Sequence, residues 1–273
     1  MSSRVKTLLI LFIVTAAAIG YALTPQTIGE GQLSLKKVSW PFGGGWKVEG
    51  GGRIPEAREH SSFRSALPLC TFRSKNLQPS TKDTTRQRIL FIGDSMLEGL
   101  MKRFADYAAE NGHELNVVLW YSSSTERWGT TAVLDRYMKK YSPTFVVICL
   151  GSNELFVRDL AAREKFVARM VQKIDSVPFV WISPPNWCKD TGINDLIARQ
   201  IGARRFFDSR GLTLERGSDH MHPTMRAAAQ WMDSVAVWMG STQTAYPILM
   251  NRPQKKGRAA HVTLLQPEYE GKE

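Results

Sequence analysis

Two hydrophobic spacings alternate along the middle of the chain. Short strand-like runs, mostly apolar, occupy 89–92, 115–120, 145–150, 179–182 and 205–207. Between them, apolar residues recur three or four positions apart and predict helices at about 96–110, 130–140, 161–175, 193–201 and 224–239. In the first of these, Leu97, Leu100, Met101, Phe104 and Tyr107 fall on one face. The run Phe145-Val-Val-Ile-Cys-Leu150 has no polar position, as a strand covered on both faces requires. Strand and helix repeated with short joins predict an α/β fold, a five-stranded parallel sheet with helices on both faces. Ligands bind such sheets beyond the carboxyl ends of the strands, so the loops leaving those ends share one edge.

The flanks read differently. Residues 7–23 are uncharged and mostly apolar, and follow Arg4 and Lys6. This is the pattern of an export signal or an N-terminal membrane anchor, near the lower limit of roughly 17–25 residues for a span. Residues 1–23 are therefore expected to place the rest of the chain outside the cytoplasm, on the periplasmic side of the inner membrane if uncleaved, or secreted if cleaved. Residues 24–87 hold two triple-glycine runs but also Trp40, Phe42, Trp46 and Phe63, and read as a spacer that is partly packed. The domain proper spans 88–241. Residues 242–273 form a basic, polar tail in which Pro247 and Pro253 stop the last helix, and a loosely held segment is expected.

The formal net charge of +11 suggests attraction to an anionic surface such as lipid headgroups or acidic polymer; solvated charge is the plainer reading. No interleaved basic and aromatic motif is present, so nucleic acid is not an expected partner. Of three cysteines, Cys149 lies in an apolar strand, while Cys70 and Cys188 lie in irregular stretches and are free to pair only in an oxidising compartment.

Four loops at the shared edge carry reactive residue types. Gly93-Asp94-Ser95 sits on a tight strand-to-helix turn, where a hydroxyl is exposed among backbone N–H groups; taken alone, Asp and Ser there are ordinary helix caps. The second loop runs from Tyr121 to Gly129, the third is Gly151-Ser-Asn-Glu154, and the last is Gly217-Ser-Asp-His-Met-His-Pro223. A serine hydroxyl needs a base, and histidine is suited to that task. A carboxylate on the other ring nitrogen fixes the tautomer, and Asp219 stands three residues before His222. An oxyanion needs fixed donors: the Ser95 N–H, the Asn153 amide and a backbone N–H of the second loop. His220 and His222 lack further ligands at metal spacing, so no metal is expected.

Gly-Asp-Ser at 93–95, Gly-Ser-Asn-Glu at 151–154 and Asp-His-Met-His at 219–222 resemble blocks I, III and V of the SGNH/GDSL hydrolases, in the form of an exported bacterial esterase. The resemblance runs from Arg88 to about Met239. It implies a flavodoxin-like three-layer α/β/α sandwich, with Ser95 as nucleophile, His222 as base, Asp219 as its orienter and Asn153 as an oxyanion donor. Two positions depart from the family pattern. Glu154 stands where block III has Asp. Ser124 stands where block II has glycine, the nearest glycine being Gly129. Trp187, Trp128 and Arg127 are candidates to contact substrate, since aromatic faces suit sugar rings; packing of loops is the alternative for both tryptophans.

The expected activity is ester hydrolysis through an acyl-enzyme at Ser95, without cofactor. The substrate is an acylated small molecule or carbohydrate, most simply O-acetyl groups on envelope or extracellular carbohydrate. An O-acyltransferase would use the same triad on a polysaccharide acceptor, and a non-catalytic carbohydrate-binding scaffold would keep the fold.

Overall fold

A computed structural model describes residues 81–270, together with the residue pairs 27–28 and 35–36. The chain divides after Leu69 into two units. Of the first, an antiparallel ladder of Thr27–Ile28 with Leu35–Lys36 is described. The segment 7–23, Cys70 and its pairing with Cys188 lie outside the described residues.

The second unit is built on a six-stranded, all-parallel sheet. Its strands are β1 (Arg88–Gly93), β2 (Glu114–Trp120), β3 (Phe145–Cys149), β4 (Phe179–Ile182), β5 (Phe206–Phe207) and β6 (His261–Leu265). They lie side by side in the order β5-β4-β3-β1-β2-β6. Helices α1 (Leu97–Glu110), α2 (Thr125–Thr130), α3 (Val133–Tyr141), α4 (Leu160–Ile174), α5 (Ile193–Ile201) and α6 (Met225–Met239) connect and cover them.

Side-chain alternation divides the interior in two. Ile89 and Phe91 of β1, with Val117, Leu119 and Val147, face α1 and α6 and pack on Phe104, Trp231 and Met239. Leu90 and Ile92, with Val118, Val146, Ile148 and Trp181, face α2 to α5 and pack on Val133, Met170 and Ile197. Both faces are buried, which is why β1 and β3 read as unbroken apolar runs. The result is the three-layer α/β/α sandwich, with β1 to β5 in the doubly wound flavodoxin-like order.

Two expectations are corrected. The sheet has six strands, because β6 pairs in parallel with β2 inside the stretch read as a loose tail. That strand is hard to see in sequence because it is an edge, with only Leu265 of its five residues buried. The following residues are also held: Trp120 Nε1 donates to the Gln266 carbonyl at 3.1 Å, and the Tyr269 ring meets Trp120 edge-on. The helix expected at 130–140 is α3, which begins at Val133, and a further short helix, α2, precedes it, the two separated by extended backbone at Thr131.

The chain passes from β1 to β2 on one side, then returns to place β3 on the other side of β1. Loops after β1 and β3 leave this switch point in opposite directions and open a crevice. At the strand ends, Gly93 is in register with both Leu119 and Cys149. A Cβ on Gly93 would stand 2.3 Å from the Cys149 carbonyl oxygen, so this close approach of β1 to β3 needs glycine.

Candidate active site

The first loop turns at Asp94 and Ser95. Asp94 is fully buried, and its Oδ1 accepts the Met96 N–H at 2.9 Å, so Asp94 tethers the entry to α1. Burial raises its carboxyl pKa to about 7; the Met96 N–H opposes the rise, and the nearby Glu154 carboxyl adds to it. The Ser95 side chain takes no part in capping. It is partly exposed, and its Oγ lies 2.8 Å from His222 Nε2.

The loop carrying His222 is a short hairpin. Arg216 bridges Pro223 across it, and the Gly217 N–H donates to the His222 carbonyl at 2.8 Å. His220 sits at its tip in the left-handed region, φ 58°. Asp219 holds the turn through Oδ1, which accepts the N–H groups of Met221 and His222 at 2.9 and 3.0 Å. Its Oδ2 lies 2.6 Å from His222 Nδ1. A carboxylate here only accepts, so Nδ1 carries the proton and Nε2 is left to accept from the Ser95 hydroxyl. The imidazole contact and the two backbone N–H groups hold the Asp219 carboxyl well below the usual range. It therefore stays ionised at neutral pH. Thr224 caps α6, its Oγ1 accepting from the Ala227 N–H, and Pro223 directly precedes that cap.

The third loop locks the second in place. Asn153 donates one amide N–H to the Ser123 carbonyl at 2.9 Å, which leaves its second N–H for another acceptor. Glu154, nearly fully buried, accepts the N–H and hydroxyl of Thr125 at 2.8 and 2.7 Å, and pairs with Arg163 Nε at 3.2 Å. Glu154 thus receives the first turn of α2, which explains a carboxylate at this position. Burial raises its pKa; the Thr125 bonds and Arg163 oppose the rise. Ser124 precedes α2 in extended backbone, φ −139° and ψ 170°, a conformation open to any residue, so the position does not require glycine.

Several expected residues lie elsewhere. Gly129 is inside α2, where a Cβ would come 2.8 Å from the Phe166 carbonyl oxygen; it serves close packing of α2 on α4 and is not a donor at the loop. Trp128 is fully buried, packs edge-on against Trp120, and donates Nε1–H to Ser123 Oγ at 2.9 Å. It supports the loop from below and offers no face to a substrate. Arg127 stacks over the Trp120 ring and donates to the Pro267 carbonyl, so it fastens the C-terminal segment. Trp187 remains a partly exposed candidate. Its Nε1 bonds the Ser152 carbonyl and hydroxyl at 3.3 and 3.2 Å, and its ring meets Phe156, which is 60% exposed.

Arg216 is absent from the sequence reading. It donates to the Met221 carbonyl at 2.5 Å and to the Pro185 and Asn186 carbonyls at 3.0 and 3.1 Å, tying the His222 loop to the loop after β4. Its only sequence signal is a basic residue just ahead of the Asp-His stretch. Ser123 was also missed, because its carbonyl does the work and a backbone group leaves no trace in side-chain identity.

No protein-family model matches the sequence, and no curated protein matches it. Among solved structures, the chain is similar to a gut microbial diltiazem-metabolizing enzyme at 13% identity and a TM-score of 0.37. That match covers 57% of this chain and 48% of the other, so the chain spans about half the length of that protein.

Proposed function

We propose that the chain is a serine ester hydrolase of the SGNH/GDSL type, and that Ser95, His222 and Asp219 are its catalytic triad. The observation that carries this reading is the unbroken relay from Ser95 Oγ to His222 Nε2 at 2.8 Å and from Nδ1 to Asp219 Oδ2 at 2.6 Å. His222 takes the hydroxyl proton as Ser95 attacks an ester carbonyl, and returns it to the leaving alcohol. Water activated by the same imidazole then releases the acyl group from Ser95. The Ser95 N–H, the Ser124 N–H and the free Asn153 amide proton are the oxyanion donors in this scheme. Trp187 and Phe156 offer aromatic faces at the rim, which favours a carbohydrate O-acyl ester as substrate. With residues 7–23 as anchor, the domain works on envelope or extracellular carbohydrate.

Fluorophosphonate labelling tests the nucleophile. The wild type should label and hydrolyse an aryl acetate, and Ser95→Ala should do neither while keeping its far-UV circular dichroism. Undiminished turnover by Ser95→Ala would remove the assignment. Product analysis with and without a sugar acceptor separates hydrolysis from acyl transfer, since both begin at the same acyl-enzyme.

A further inference from the structure

A groove of about 660 Å³ lies away from the relay, between α1, the first turns of α6 and the segment leading into β6. Its lining includes the apolar side chains Met101, Met225 and Val262 and the cations Lys102, Lys256 and Arg258. Register explains the apolar part. Val262 and Leu264 pair with Val117 and Leu119, which belong to the α1/α6 side of the core, so both side chains point to that face. Among the described residues no helix covers them there: they are 49% and 50% exposed, and Met225 is 47% exposed. Two of the five large hydrophobics exposed among the described residues, Met225 and Val262, therefore line one groove, and a third, Leu264, lies two positions beyond Val262 on the same face.

The charge is equally one-sided. Asp106 is the one carboxylate among the described residues lining the groove. It is already engaged by the Gly257 N–H at 2.9 Å, by Lys256 Nζ at 3.3 Å and by Arg103 at 3.3 Å. Arg103 is committed further to Asp233 at 2.7 Å. Lys102 and Arg258 are exposed and form no hydrogen bond or ion pair among the described residues. Two uncompensated cations, Lys102 and Arg258, beside exposed apolar side chains match an anionic amphiphile. A polysaccharide would meet the cations but gain little from the methionine and valine side chains. A neutral lipid would leave the cations unanswered.

We propose that this groove docks the domain on an anionic bilayer, with one phospholipid phosphate between Lys102, Lys256 and Arg258 and its upper chain carbons against Met101, Met225 and Val262. Because α1 follows Ser95 and α6 follows His222, docking here fixes how the catalytic edge is presented to the envelope. The contact is separate from any tether at residues 7–23, so its test needs a readout local to the groove.

Hydrogen–deuterium exchange of the full chain on vesicles supplies one. Amides at 255–262 lie in irregular backbone and at the start of the edge strand. They should exchange more slowly on phosphatidylglycerol–phosphatidylcholine vesicles than on phosphatidylcholine alone. The added protection should vanish in the Lys102→Glu, Arg258→Glu double variant, which leaves the Lys256–Asp106 contact in place. It should also weaken in Val262→Ser, Leu264→Ser. High salt should reduce it, since screening shortens from about 10 Å at 0.1 M to about 3 Å at 1 M. Equal protection on both vesicle types, no protection on either, or protection undiminished by the charge reversal would each overturn the proposal. The comparison of vesicles on the wild type stands even if a variant folds poorly.

Discussion

Two histidines stand two positions apart, and only one of them touches the serine. His222 contacts Ser95 and Asp219, whereas His220 occupies a left-handed turn position and its ring has no hydrogen-bond partner among the described residues. His222→Ala should therefore cost roughly 10⁴-fold or more in kcat, as loss of a triad base does. His220→Gly keeps the turn conformation and should leave kcat within the same order of magnitude. Steady-state kinetics on an aryl acetate checks the ranking. Asp94 yields a prediction about stability. Its folded pKa of about 7 exceeds the unfolded value near 3.9, so the unfolded chain releases this proton first. The stability tied to its protonated form is full below about pH 4 and is lost as pH rises through about 7. Asn carries no such proton, so the difference in unfolding free energy between the wild type and Asp94→Asn should fall across that window by a few kcal/mol, measured by denaturant unfolding. Sequence showed the reactive types at Ser95, Asn153 and the Asp219–His222 pair because each of these loops follows its own strand. It could not show that Trp128 is buried beneath its loop or that Arg127 turns toward Pro267. Both positions have the chemistry of a ligand contact, and only packing decides which way they face.

The short helix α2 shows how the site is braced from behind. Its first turn is received by Glu154 from the third loop, and its Gly129 lies directly on the backbone of α4. Gly129→Ala places a methyl against the Phe166 carbonyl, an atom fixed by its helix. The expected cost is about 1–3 kcal/mol in denaturant unfolding, the usual range for overpacking. A neutral result would mean that α2 shifts freely, and its neighbour Ser124 with it. Central strands and long helices were legible because burial on both faces writes continuous apolar runs, and burial on one face writes a helical period. The edge strand β6 escaped notice for the opposite reason: it buries little, so its sequence keeps a surface composition. Helix α2 escaped because its six residues are too few to write a helical period.

The doubly wound sheet follows from the strand–helix alternation, and the crevice follows from the reversal of strand order between β1 and β3. What no local pattern states is the meeting of Ser95 with His222 across 127 positions of sequence. That meeting is brokered by α1 and α6, which share one face of the sheet, through contacts such as Phe104 and Trp231 in the same core. On the proposed mechanism, bond-making thus depends on two helices staying docked side by side, and helices can loosen before a sheet comes apart. On slow heating, catalysis should fade at a lower temperature than far-UV circular dichroism, and should return on cooling from that interval. The relay would then act as a thermometer for the helical layer: turnover would measure how often α6 stands in its seat, while the parallel strands beneath still hold their register.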